Sequence, residues 1–390
     1  MVSVISSDVA ELLIHASVHS PFWRERLKDK SFDEILVLKK GELPTIQQQK
    51  LPFGGLLTVP EHEAARIFLS PGPIYDVQGT DGDFWRFAEA LEVAGFGPGD
   101  IVQNTFSYHL SPAGMMFDAA LRKLGATVIP AGIGNTELQV QVLRDCRVTG
   151  YVGTPSFLAI LLERAGKEEY QFGHELKLNK VFFTAEKLAP ALRRVWQEAG
   201  LSVFEGYGTA DAGLIAYEDG VNPGLKVAAS VYLEICDPET GKPLPQGADG
   251  IGEVVVTVLD KTYPLIRFGT GDLSSWLLGQ EGKYISGVIG RVGDGVKVKG
   301  MFVHLKQFAP ILENTAWVSY YQAVVTREDN SDRFTLYLES EALPRAGEDI
   351  LKSLQDELRE RIRIRPHLQM VAIGTLTRKE PQLIDKRRWE

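Results

Sequence analysis

Asp100-Ile-Val-Gln-Asn104, Gly125-Ala-Thr-Val-Ile-Pro130 and Gly150-Tyr-Val-Gly153 are three short apolar runs whose spacing decides the fold. The intervals between them, over 114–124 and 136–145, return their apolar residues at helical spacing, so each run reads as a strand and each interval as a crossover helix. Strands that run the same way need such crossovers, because a hairpin can only reverse the chain. The alternation continues with a helix expected over 156–165, a strand over 180–183, a helix over 189–199 and a strand over 201–204 leading to Gly206-Tyr-Gly208. One parallel α/β sheet is expected to span this half of the chain.

Toward the N-terminus, residues 11–28 read as two short helices divided at Ser20-Pro21, and 82–95 as a helix closed by Gly97-Pro-Gly-Asp100. Beyond Gly213 the pattern changes to β-branched runs broken by Gly and Pro, at 231–236, 252–259 and 263–268, which predicts a β-rich subdomain of antiparallel strands. After Gly300 come a helix near 306–313, strands near 321–327 and 334–340, a helix over 350–362 and a strand over 368–373. That order predicts a separate small α+β domain. No repeat or low-complexity tract interrupts it.

The chain has 390 residues, enough for more than one domain, and is 44% hydrophobic and 24% charged, an ordinary globular profile. A net charge of -9 without a long basic run argues against nucleic acid as a partner. Cys146 and Cys236 stand far apart, outside any Cys-x-x-Cys spacing, which disfavours a disulfide framework or cysteine-held zinc and suits a reducing cytoplasm. The first residues lack a basic start and apolar core, and no apolar run approaches the roughly 20 residues a bilayer requires, so neither export nor membrane insertion is expected.

Four segments carry the chemistry. In Glu205-Gly-Tyr-Gly-Thr-Ala-Asp211, a glycine turn is expected to expose Tyr207 for stacking on a purine and Asp211 for Mg²⁺; a plain β-turn with a buried tyrosine is the other reading. Tyr263-Pro-Leu-Ile-Arg-Phe-Gly-Thr-Gly-Asp272 delivers a carboxylate suited to both ribose hydroxyls, or a simple turn aspartate. In Ile289-Gly-Arg291-Val-Gly-Asp294-Gly-Val-Lys-Val-Lys-Gly300, an arginine for phosphate or ribose is followed by glycines that permit large backbone rotation, or by a glycine-rich hairpin. Between Asp100 and Pro155, Gly-Ala-Thr-Val-Ile-Pro130 and Gly153-Thr-Pro-Ser156 end two strands at the carboxyl edge of the sheet, where α/β proteins place ligands.

Taken in order, these segments, with Gly134-Asn-Thr-Glu-Leu-Gln139, Asp237-Pro-Glu-Thr-Gly241 and Pro264-Leu-Ile-Arg267, resemble the adenylate-forming (ANL) superfamily in its phenylacetate-CoA ligase branch. The resemblance covers nearly the whole chain. It implies the ANL adenylating-enzyme fold: an AMP- and acyl-binding α/β domain over 1–293 with its β-rich subdomain, a hinge at Asp294, and a mobile α+β domain over 294–390. It also implies an ATP-dependent, AMP-forming ligase that activates a carboxylic acid, aromatic by family analogy, and passes it to coenzyme A or a carrier-protein thiol, as a homodimer by the same analogy. Ala185, Glu186, Tyr207, Gly208 and Thr209 would frame the nucleotide, Asp272 the ribose, and Asp211 the Mg²⁺ ion. Arg291 would contact the nucleotide. Tyr108, His109 and Gly132 would lie near the acyl group, although His109 alone also reads as a structural histidine.

Two departures fall on the half-reaction that handles pyrophosphate. The loop that cradles ATP phosphates in the family is here Leu69-Ser70-Pro71-Gly72-Pro73-Ile74-Tyr75, in which two prolines delete donors and Ser70 and Gly72 are the remnants of the pattern. At the C-terminus, the place of a catalytic lysine falls on Gln382, with Lys379 or Lys386 nearby as substitutes. Gly269 and Asp211, where arginine and glutamate are usual, are milder changes. The sequence therefore supports a working ligase, or alternatively a homologue that binds nucleotide or acyl-adenylate without forming it.

Overall fold

The computed structural model describes residues 6–70, 73–245, 250–292, 295–298, 301–328, 331–340, 347–362 and 364–387. Two compact units divide the chain: the first holds residues 1–234, 254–270 and 276–287, the second 235–253, 271–275 and 288–390.

In the first unit the expected alternation is present as β1 (Ile101–Asn104), α1 (Ala113–Lys123), β2 (Thr127–Pro130), α2 (Thr136–Asp145), β3 (Gly150–Gly153), α3 (Pro155–Lys167), β4 (Lys180–Phe183), α4 (Pro190–Glu198) and β5 (Ser202–Thr209). Three further strands, β6 (Gly213–Tyr217), β7 (Leu225–Val227) and β8 (Tyr284–Ile285), extend the sheet to the order β8-β7-β6-β5-β4-β3-β1-β2. Strands β1 to β5 pair in parallel, as in Val102↔Val128 and Val152↔Phe182. The remaining pairs are antiparallel, so the five strands expected to be parallel are so, and the strands from Gly213 onward extend the same sheet in the antiparallel sense. The reversal begins at the tight turn between β5 and β6, too short for a crossover helix. Between Tyr207 and Gly208 the register with β6 slips: Tyr207 faces Ala216 and Gly208 faces Leu214, leaving Ile215 unopposed.

The parallel strands run in the order 2-1-3-4-5, which puts the switch in connection direction between β1 and β3. Ligands of doubly wound folds bind at the carboxyl ends of the strands beside such a point. Beneath it lies a core that includes Val148, Tyr151, Leu158, Leu161, Val181, Phe183 and Trp196.

Two local expectations change. The helix expected over 82–95 is reduced to Ala88–Val93, because Arg86 takes a left-handed φ of 65° and Asp83 accepts the Ala88 N–H at 3.1 Å. The expected phosphate loop is the end of an antiparallel hairpin, Arg66–Ser70 with Ile74–Gln78, in which Ser70 opposes Ile74. Gly72 lies outside the described residues, as does Asp294.

In the second unit, β9 (Tyr320–Glu328) and β10 (Ser331–Glu339) form a long antiparallel pair. Strands β11 (His367–Val371) and β12 (Leu383–Asp385) add to its two sides in parallel. Helices α5 (Leu305–Glu313) and α6 (Gly347–Ile362) supply Phe308, Leu312, Leu354, Leu358 and Ile362 to a common core with Val325, Leu336 and Leu338. The small α+β unit thus has the expected elements plus β12 and an antiparallel hairpin of Gly295–Val298 with Met301–His304. Among the described residues no helix is long and apolar enough to cross a membrane.

Candidate active site

Asp211 occupies the turn that joins β5 to β6. Glycine is required on either side: a Cβ on Gly208 would strike the Gly213 carbonyl and the Phe87 ring, and Gly213, at φ 69°, lies against Trp85 and Arg86. Thr209 Oγ1 accepts the Ala212 N–H at 3.0 Å and closes the turn. Tyr207 is not displayed as expected. It is 7% exposed, with its Oη 3.1 Å from Thr270 Oγ1, which in turn donates to the Val254 carbonyl at 2.9 Å.

The Asp211 carboxylate is 1% exposed. Its Oδ2 accepts from Lys40 Nζ at 2.6 Å, whereas Oδ1 is buried without a hydrogen-bond partner. Beside this pair, Ser70 Oγ donates to Asp76 Oδ2, bringing the hairpin end into the same cluster. Burial, and then the Asp211 charge, push the Asp76 carboxyl up to about 7 against the opposing pull of Ser70 and Lys40. Tyr263 completes the group: burial and the charges of Asp76 and Asp211 push its phenol upward. Gln47 pins the hairpin from behind, its amide exchanging two 2.8 Å bonds with the Tyr75 backbone.

The Mg²⁺ ion that the resemblance implies at Asp211 is poorly matched as a resident metal. One carboxylate oxygen is spent on an ammonium, Asp76 keeps its proton toward neutrality, and among the described residues no three carboxylate, imidazole or thiol groups converge. What is left is one orphan oxygen, suited to a single contact with a cation carried on ATP phosphates.

At the carboxyl end of β4, Ala185 has φ 71°, and Glu186 Oε2 accepts the Ser156 N–H at 3.3 Å. Thr154 caps α3 through Phe157 N. A Cβ on Gly153 would overlap Thr105 Oγ1 and the Tyr151 hydroxyl, so this strand end is fixed by its own polar contacts. At the end of β1, Asn104 Nδ2 bonds both Tyr108 Oη and the Gly114 carbonyl at 2.8 Å, and Tyr108 donates to Asp118 at 3.3 Å. His109 is an exposed residue. Gly132, at φ 66°, belongs to a loop held from below: Gln139 Nε2 bonds the Gly132 carbonyl at 2.9 Å and that of Gly134 at 2.7 Å. Gln139 Oε1 accepts from buried Gln103 at 2.8 Å.

In the second unit Asp272 and Arg291 are opposed across an antiparallel pair, with Nε 3.2 Å from Oδ1. Lys379 is exposed. Its neighbour Arg378 lies 4.2 Å from the Tyr320 ring centroid and 3.2 Å from Glu339, a buried carboxylate that also accepts the Leu376 N–H at 2.7 Å. Gln382 directly precedes β12 and accepts the Ala323 N–H through its carbonyl at 2.7 Å.

The structure therefore gathers Ser70 and Asp211 in one cluster and Asp272 with Arg291 in another. Ala185 and Glu186, Tyr108, and Gly132 lie at successive strand ends. Sequence reading missed Lys40, Asp76 and Gln139 as site residues. Asp76 was open to detection as an acid inside the apolar Ile74-Tyr-Asp-Val77, whereas nothing local marks Lys40.

Comparison with known proteins gives the same frame. The family model described as AMP-binding enzyme matches residues 87–258, and that of the AMP-binding enzyme C-terminal domain matches 300–387. The phenylacetate-coenzyme A ligase of Thermus thermophilus is 31% identical over 352 residues, 82% of this chain and 77% of that protein. The protein of the same name from Pseudomonas putida is 28% identical over 407 residues, 94% of this chain and 89% of its own. An open conformation of 2-hydroxyisobutyryl-CoA ligase, solved with 2-HIB-AMP and CoA, superposes with a TM-score of 0.81 at 24% identity, covering 97% of this chain and 90% of that one. Amide bond synthetase McbA from Marinactinospora thermotolerans shares the fold more distantly, with a TM-score of 0.53 at 18% identity over 81% of this chain and 67% of that one.

Proposed function

We propose a function from one premise: the chain belongs to the phenylacetate-CoA ligase family of AMP-binding enzymes. It is an adenylate-forming, ATP-dependent acid-CoA ligase. Its substrates are a carboxylic acid, ATP and CoA. In the first half-reaction the carboxylate oxygen attacks the α-phosphorus and pyrophosphate leaves. In the second, the thiol sulfur attacks the acyl carbonyl and AMP leaves. The binding-only alternative is not favoured by these relatives.

The finer reading assigns places to this chemistry. We read the acid as aromatic, held near Tyr108, His109 and Gly132, with the nucleotide against Ala185, Glu186 and Tyr207 to Thr209. Asp272 receives the ribose hydroxyls, Arg291 contacts the nucleotide, and Lys379 is the nearest cation to the departed lysine position. Mg²⁺ belongs to the ATP substrate. The division at 293/294, the hinge at Asp294, a homodimer and a carrier-protein thiol in place of CoA follow the family resemblance. From the two widely separated cysteines, outside any Cys-x-x-Cys spacing, the reading places the protein in a reducing cytoplasm.

The observation that carries this assignment is the Asp211 turn, where a buried carboxylate with an unpartnered oxygen stands beside the hairpin end at Ser70. The test is exchange of labelled pyrophosphate into ATP in the presence of candidate aromatic acids, followed by thioester formation with CoA. Exchange that needs the acid supports the assignment; nucleotide binding without exchange under any acid would overturn it.

A further inference from the structure

We infer that Lys40 is a phosphate-binding residue of the nucleotide site, its ammonium holding the phosphate of AMP and the α-phosphate of ATP. The inference rests on the nucleotide reading of the Asp211 turn given above, and adds to it a residue drawn from outside every motif.

Four observations carry it. Lys40 opens a short 3-10 turn, Lys40–Glu42, and its Nζ reaches Asp211 Oδ2 at 2.6 Å, next to the Tyr207-Gly208-Thr209 segment. The two partners differ in exposure: the aspartate side chain is 1% exposed and that of the lysine 38%. The lysine side chain is thus anchored at its Asp211 end and is partly open to solvent. An ammonium carries three N–H donors, and among the described residues only the one directed at Asp211 has a protein acceptor. Two donors remain for a ligand oxygen.

The third observation is the want of donors elsewhere. In Ser70-Pro71-Gly72-Pro73 two of four residues lack a backbone N–H, and the Ser70 hydroxyl is committed to Asp76. A phosphate placed at this hairpin end must find its compensating charge on a side chain. The fourth is charge balance. Asp76 is hydrogen-bonded by Ser70, and burial and the Asp211 charge push its carboxyl up, so the full negative charge that Lys40 faces is that of Asp211. A ligand phosphate competes with Asp211, and less with Asp76, for Lys40. The second Asp211 oxygen, buried and unpartnered, is an acceptor that a cation carried on the ATP phosphates would satisfy and a phosphate oxygen would not.

The alternative is a lysine that does no more than neutralise a buried aspartate. Calorimetric titration of the full chain with AMP and with adenosine separates the two, because adenosine lacks only the phosphate. In Lys40→Met the affinity for AMP is expected to fall about tenfold or more, the size of a charge-assisted hydrogen bond. Affinity for adenosine should stay within about twofold of the parent, since the nucleoside contacts are untouched. Lys40→Arg should recover most of the AMP affinity. Equal AMP affinity in Lys40→Met and the parent would overturn the inference and leave the nucleotide reading intact. Parallel loss of AMP and adenosine, with a lowered melting temperature that Lys40→Arg restores without restoring AMP binding, would assign Lys40 a structural role and overturn it too. A parent protein that binds neither compound would overturn the nucleotide reading itself, and this inference with it.

Discussion

Asp272 and Arg291 are paired across two strands with Nε 3.2 Å from Oδ1, and they differ sharply in exposure, the aspartate side chain being buried and that of the arginine 77% exposed. An exposed arginine on a buried acid adds little to stability, on the order of 1 kcal/mol at most. It does place a cation beside one carboxylate oxygen, Oδ1. Arg291→Ala is accordingly expected to leave the melting temperature nearly unchanged while reducing pyrophosphate exchange. Asp272→Ala should abolish exchange; activity within twofold of the parent would remove Asp272 from the ribose assignment.

Asp76 supplies a pH dependence. Its carboxyl is raised to about 7 in the folded protein, against roughly 3.9 when unfolded. Between those values the folded state holds a proton that the unfolded state has released, so stability falls as pH rises from about 4 to about 7 and levels off above. The slope from one such proton approaches about 1.4 kcal/mol per pH unit. In Asp76→Asn this slope should vanish, and the variant should gain on the parent between pH 5 and pH 8 in urea denaturation. Parallel curves for the two proteins would show that Asp76 does not hold its proton.

Gln139 is the support of the Gly132 loop. Truncation to alanine frees the Gly132 and Gly134 carbonyls and leaves the buried Gln103 amide without its acceptor. Leaving such groups unpaired costs about 1–3 kcal/mol. The expected kinetic signature of Gln139→Ala is a raised KM for the carboxylic acid with KM for ATP unchanged. A rise in both would mean general loosening of the sheet edge.

Gln382 offers a gain-of-function test. If its place corresponds to the family's C-terminal lysine, Gln382→Lys adds a fixed cation for a phosphoryl oxygen, an effect typically of several kcal/mol. Even part of it would raise exchange about tenfold or more. An unchanged rate would move that role elsewhere, with Lys379→Ala the next variant to measure.

How much of this was open to sequence reading depends on the range of the interactions involved. Helix α2 and strand β4 match their expected limits residue for residue, because periodicity within a few residues specifies them. The helix expected near residue 82 is shortened by Arg86, whose left-handed backbone is tied by its guanidinium to the Phe84 and Ala212 carbonyls, the latter a contact across the fold. The hairpin at 66–78 escaped because its prolines suggested a loop, and β12 because three residues carry no periodic signal. Tyr207, expected to be displayed, is buried, with its hydroxyl bonded to Thr270, 63 residues away. Lys40 meets an aspartate 171 residues distant, and no pattern in one chain announces such a partner.

The slipped register opposite Tyr207 makes chain length a heritable trait in its own right. Side chains in a strand alternate between faces, so losing one residue from β6 exchanges inside for outside in everything beyond the cut. The unopposed Ile215 keeps the count on β6 one ahead of that on β5, and so sets which way Leu214 and Ala216 project relative to Tyr207 and Gly208. Substitutions around the nucleotide turn can be explored one at a time, by descent or in the laboratory. Insertions and deletions in β6 cannot, and lineages of this enzyme should differ there in letters while agreeing in number.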